Sequence, residues 1–118
     1  MPDKAILDLS RLQEAFDDDV IGIADLLDMA LATGRKHVAK MNEGIHDRAI
    51  ETVARAAHGI KGSASNVGAG NVTAVATEID RRARAGTWDG IEQLAHDLEA
   101  AYAELGTTVR AYRIEVTS

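Results

Sequence analysis

Apolar residues recur three and four positions apart through four long stretches of this chain, and no proline interrupts any of them. The single proline stands at position 2. Spacing of three and four lines side chains along one stripe of a helix, whereas a half-buried strand needs strict alternation. The seams are Val20, Ile23, Leu27, Leu31, Val38 and Met41; then Ile50, Val53, Ala57, Ile60, Ala64 and Val67; then Val72, Val75, Ala76, Ile79 and Ala83; then Ile91, Leu94, Leu98, Ala101, Leu105 and Val109. They predict helices over about 19–42, 48–67, 72–85 and 90–112. A short helix is expected over about 9–17, where Ser10 and Gln13 have the form of a capping box. Four seamed helices with short connections make an all-α, up-down four-helix bundle, with the short first helix over one end.

Polar residues and glycines set the expected boundaries. Gly34 breaks the seam of the second helix, and Asn42, Gly44 and His46 are expected to form the turn after it. Asp47 is the expected cap of the third helix and Gly68 its stop. Asn71 and Gly86 bound the fourth, and Thr87 or Asp89 caps the fifth. Asp17, Asp18 and Asp19 read as a cluster at a helix end. No repeat, low-complexity tract or linker divides the chain. Its 118 residues are therefore expected to form one domain, with the short helix at about 9–17 and the bundle at about 19–112.

Composition excludes several functions. Cysteine is absent, which removes disulfides, thiol nucleophiles and thiolate metal sites. No stretch has the length of a membrane span and no signal-peptide pattern opens the chain, so a soluble, cytoplasmic protein is expected. The net charge of −6 argues against nucleic acid as a partner. The charge is uneven: residues 35–84 carry a local +4 and the remainder −10. A basic middle in an acidic protein suits an anionic substrate or an acidic partner, and it equally describes a run of solvated charges.

The segment AAHGIKGSASNVGAG, residues 56–70, conflicts with its own helical pattern. Each glycine inside a helix costs about 0.5–1 kcal/mol relative to alanine. On an ideal wheel His58 lies roughly 135° from the third seam and faces solvent. Lys61 is three residues on, and Gly62 is four residues on, beside His58 on the same face. Positions 59, 62, 63 and 65 are all glycine or serine. An exposed imidazole with a cation at i+3 and empty space at i+4 suits a phosphoryl acceptor. A phosphoryl group adds about −2 charge and three acceptor oxygens. An ammonium group can reach those oxygens, and a glycine leaves room for them.

The arrangement H-x-x-K-G-x-x-x-x-x-G, formed by His58, Lys61, Gly62 and Gly68, resembles the histidine-containing phosphotransfer (HPt) domain of bacterial phosphorelays. Helix order and lengths resemble that domain too, and TEIDRRARAGTWDGIEQLAHDLEAAY is similar to its last two helices. The resemblance implies that His58 is phosphorylated, Lys61 stabilises the phosphoryl group, Gly62 gives steric access and Gly68 ends the helix. It further implies a phosphocarrier rather than an enzyme, with no cofactor of its own and Mg²⁺ supplied by the partner. The implied partners are response-regulator receiver domains and a hybrid sensor kinase, and a monomer is expected. Family members commonly orient the histidine with a residue of the next helix, often glutamine; ungapped counting puts Asp80 there. This chain departs from the family in having no aromatic residue near 29–31, where packing is expected to differ.

Competing readings remain open at this level. Asp80 has a second expected role, a surface ion pair to Arg84 at i+4. Arg81, Arg82 and Arg84 form either a docking rim or a solvated face. His37, His46 and His96 read as surface or turn residues, and no spacing suggests a metal site. A bundle that sequesters a receiver domain without carrying phosphate is the alternative function, and a metal-dependent bundle enzyme is a further rival. Gly59 has no role beyond reduced bulk.

Overall fold

A computed structural model describes residues 2–118. Five helices follow in order: α1 (Ser10–Ala15), α2 (Val20–His46), α3 (Ile50–Asn66), α4 (Gly70–Arg84) and α5 (Ile91–Thr117). Among the described residues there is no strand, and the fold is all-α. Helices α2 to α5 pack in a closed up-down ring, each against its sequence neighbour and α5 back against α2, while α1 leans on α2. The 27 residues of α2 and of α5 each span about 40 Å. They account for the 45 Å long axis of the molecule.

The seams meet as expected. Ile23, Leu27, Met41, Val53, Ile60, Val72, Ile79, Ile91, Leu98 and Val109 are fully buried. Val20 is the exception. It opens α2 beyond the edge of the core and stays exposed. Asp19 caps α2, its carboxylate accepting from the Gly22 amide, while Asp17 and Asp18 form the left-handed turn before it. Gly68 (φ +79°) and Gly86 (φ +76°) stop α3 and α4 in the left-handed conformation that glycine adopts without penalty.

Other boundaries differ from expectation. Asn42, Gly44 and His46 are not a turn, because α2 continues through His46. Gly44 serves packing instead: a Cβ there would stand 3.0–3.1 Å from Thr52 and Val53 of α3. The turn is Asp47–Ala49, with Arg48 at φ +56°. Asp47 closes α2, and Ala49, not Asp47, is the N-cap of α3. Ser10 is no capping-box residue; it lies inside α1, and the Asp8 carboxylate accepts from its amide and hydroxyl at 3.0 and 2.5 Å. Asn71 is inside α4, which starts after Ala69, and its side chain donates to Glu104. Left-handed Gly90 precedes α5, and Thr87 accepts from the Asp89 amide rather than capping the helix. Helix α5 also runs past residue 112, to Thr117.

Gly34 is a contact, not a break. It is buried, and a Cβ on it would overlap the phenol of Tyr102 from α5. Tyr102 thus brings to the core the aromatic volume that α2 lacks. A small apolar crevice remains beside it, lined by Ala30, Leu31, Ala64, Val67 and Leu105. Burial pushes the Tyr102 phenol up to about 12. At the opposite end from α1, Arg48 stacks over Trp88 at 4.1 Å and ties the α2–α3 turn to the α4–α5 loop.

Candidate functional site

Helices α3 and α4 form a hairpin joined by Val67–Ala69. The hairpin presents His58 on its outer surface, with 64% of the side chain exposed. Helical side chains lean toward the helix N-terminus, over the preceding turn. A side chain at 62 would therefore lean over the imidazole of His58. Gly62 has none, and a Cβ there would meet nothing within 4 Å. Lys61 leans by the same rule toward the turn that carries His58. It is half-buried and forms no ion pair among the described residues, so its ammonium is uncommitted.

Asp80 of α4 stands behind the histidine. It is the only buried charged residue among those described, with 10% of its side chain exposed. Its Oδ2 lies 3.6 Å from His58 Nδ1, and its Oδ1 accepts from Arg84 Nε at 2.6 Å. Asp80 therefore approaches both residues expected of it, one on each oxygen, from a buried position rather than at the surface. A separation of 3.6 Å is an ion-pair approach, just outside hydrogen-bond length.

Gly59 acquires a specific neighbour. Its missing Cβ would stand 2.7–3.0 Å from the ring of His37 on α2. His37 is consequently not a plain surface residue: its half-buried ring lies over the α3 backbone, one residue from His58. A mid-helix glycine signals such an approach, but no pattern on α2 says which side chain makes it. His46 and His96 are exposed, His46 as the last residue of α2 with Nδ1 3.1 Å from Asp47. No three His, Cys, Asp or Glu side chains among the described residues stand together as metal ligands.

The arginines of α4 are all engaged. Arg81 and Arg82 both bind Glu78, whose carboxyl these hydrogen bonds pull down to about 2. Arg82 also donates to the Asp89 carbonyl and packs where a Cβ on Gly90 would be. It clamps the α4–α5 loop, while Arg81 and Arg84 stay more than half exposed. Gly68, besides ending α3, accepts from the Asp8 amide at 2.9 Å, and any Cβ on it would collide with the Asp8 carbonyl. The N-terminal segment is so strapped across the α3–α4 turn, with the Asn71 amide donating to Ala5.

Comparison with known proteins agrees with the fold. The family model described as "Hpt domain" matches residues 25–106. Among solved structures, histidine-containing phosphotransfer protein B (HptB) from Pseudomonas aeruginosa PAO1 shares the fold with a TM-score of 0.84. It is 23% identical, and the match covers 93% of this chain and 96% of that one. No curated protein sequence matches.

Proposed function

We propose, from the premise that this chain belongs to the Hpt domain family, that it is a phosphorelay intermediate carrying a phosphoryl group on His58 between receiver-domain aspartates. The observation that carries this reading is the pairing of an exposed imidazole with a buried carboxylate at its Nδ1 edge. A carboxylate there accepts from Nδ1–H and leaves the Nε2 lone pair directed at solvent. Nε2 attacks the phosphorus of a receiver aspartyl phosphate in line. The N–P bond forms as the P–O bond to the aspartate breaks, and the aspartate departs as a carboxylate. No proton is lost. The ring becomes a cation that keeps its Nδ1–H, and Asp80 faces that charge. Lys61 meets the phosphoryl oxygens, and the open surface at Gly62 admits the partner.

Mg²⁺ belongs to the receiver in this scheme, held by the receiver's own acids, and it offsets the charge of the transferring group. The basic 35–84 segment complements such an acidic pocket. A hybrid sensor kinase is the proposed source of the phosphoryl group, upstream of the first receiver. Arg81, exposed on the same hairpin, is the proposed docking rim, with Arg82 withdrawn from it to the loop and Arg84 turned to Asp80.

The test is radiolabel transfer from a phosphorylated receiver domain. The wild type should gain a label that is acid-labile and alkali-stable, as a phosphoramidate is. His58→Ala should remain folded and gain none. Label on the variant sinks the assignment. Receiver binding without any label on the wild type favours the sequestering module.

A further inference from the structure

We propose that Arg84 is a positioning residue for phosphoryl transfer, acting on His58 through Asp80 rather than by touching the partner. The inference rests on the phosphocarrier reading above and names a further working part of that site. Asp80 is buried, and a buried carboxylate needs compensation for its lost hydration. Arg84 supplies it from one turn along α4, through Nε to Oδ1 at 2.6 Å. The contact is single rather than forked, and that decides its effect. A forked pair would occupy both carboxylate oxygens. The single contact holds Oδ1 and leaves Oδ2 facing His58 Nδ1.

Rotation of an aspartate carboxylate about its last torsion is broad and weakly restrained. Arg84 removes that freedom. With Oδ1 pinned, Oδ2 is presented to Nδ1, and the hydrogen of neutral imidazole is held on Nδ1. The nucleophilic lone pair is then on Nε2. Without Arg84 the carboxylate turns freely, both tautomers of His58 are populated, and only one of them can attack from Nε2. The Arg84 side chain is 58% exposed, so a substitution there leaves no cavity.

The experiment separates positioning from docking and from the functional reading itself. Long-range ¹⁵N–¹H spectra of the imidazoles in the isolated protein report the His58 tautomer with no receiver present. The wild type should show mainly Nδ1–H, and Arg84→Met a mixture. Single-turnover transfer at saturating phosphorylated receiver should slow on the order of tenfold or more in Arg84→Met, with the dissociation constant for the receiver little changed. Arg84→Lys should recover part of the rate, since an ammonium keeps the charge but not the directed Nε contact. In an Asp80→Asn background, Arg84→Met should have little further effect. An unmoved tautomer in Arg84→Met overturns the inference whatever happens to transfer. So does a variant that weakens receiver binding while transfer at saturation is untouched. A wild type that takes no phosphoryl group from any receiver, yet shows the tautomer shift on mutation, fails the phosphocarrier reading and not the Arg84–Asp80–His58 linkage.

Discussion

Gly62→Ala and Gly59→Ala are the same chemical change three residues apart in one helix, yet only the first should stabilise the fold. At 62 the new Cβ meets nothing within 4 Å. The full helix gain of about 0.5–1 kcal/mol is then available. With an unfolding entropy of about 2.1 cal/mol/K per residue, 118 residues convert that gain to a rise in Tm of about 2–4 °C. At 59 the new Cβ lands within 2.7 Å of the His37 ring, which must move or unpack. Displacing a packed ring costs about 1–3 kcal/mol, so the helix gain is cancelled or exceeded. Thermal melts of both variants measure this directly. In a His37→Ala background Gly59→Ala should recover its gain, since the obstacle is then gone. Gly62→Gln should also be stable, yet transfer from a phosphorylated receiver should fall steeply, because a side chain leaning over His58 blocks the partner. A stabilised Gly62→Gln with undiminished transfer would refute the steric account of that glycine. A gain at 59 equal to that at 62 would refute the packing account of His37.

Two further outcomes concern the core. The Tyr102 phenol is pushed up to about 12 by burial, above its ordinary value near 10, so the folded state holds that proton more tightly than the unfolded chain. Its contribution to stability is therefore complete below pH 10 and is lost as pH rises from 10 to 12; urea unfolding across that range should show a shallower alkaline loss in Tyr102→Phe than in the wild type. Gly34→Ala should destabilise by about 1–3 kcal/mol despite its better helix propensity, because the Cβ overlaps the Tyr102 phenol, and pairing it with Tyr102→Phe should recover part of the loss by denaturant titration.

The number of helices and their buried faces were legible because seams of three and four make a regular signal. Ile60 and Ile79 need no tertiary knowledge to be assigned to the core. Boundaries were harder. Gly44 and Gly34 look like breaks in one dimension, whereas both are places where a neighbouring element comes close. Local pattern cannot tell those cases apart, since the partners Thr52 and Tyr102 are named only by the fold. Asp47 and Asn71 have the chemistry of caps, but the observed N-caps, Ala49 and Ala69, lie two residues from each. At the site, the spacing from His58 to Lys61 and Gly62 is carried by one helix and was readable. The approach of Asp80 needed the register between two helices, which a three-residue connection largely fixes. His37 over Gly59 lies across a helix interface: the glycine signals a close approach, but nothing in the sequence of α2 marks His37 as its partner.

Everything proposed to take part in the chemistry lies on the α3–α4 hairpin, between His58 and Arg84. His58 and Asp80 are only twenty-two positions apart along the chain. Closing so short a loop carries a small entropic cost, while bringing α5 back onto α2 spans most of the molecule. In kinetic terms the reactive pair is therefore a local product, set when the hairpin forms and not when the bundle closes. Damage to the α2–α5 seam should lower the melting point and raise the rate of unfolding well before it disturbs the register between the histidine and its carboxylate.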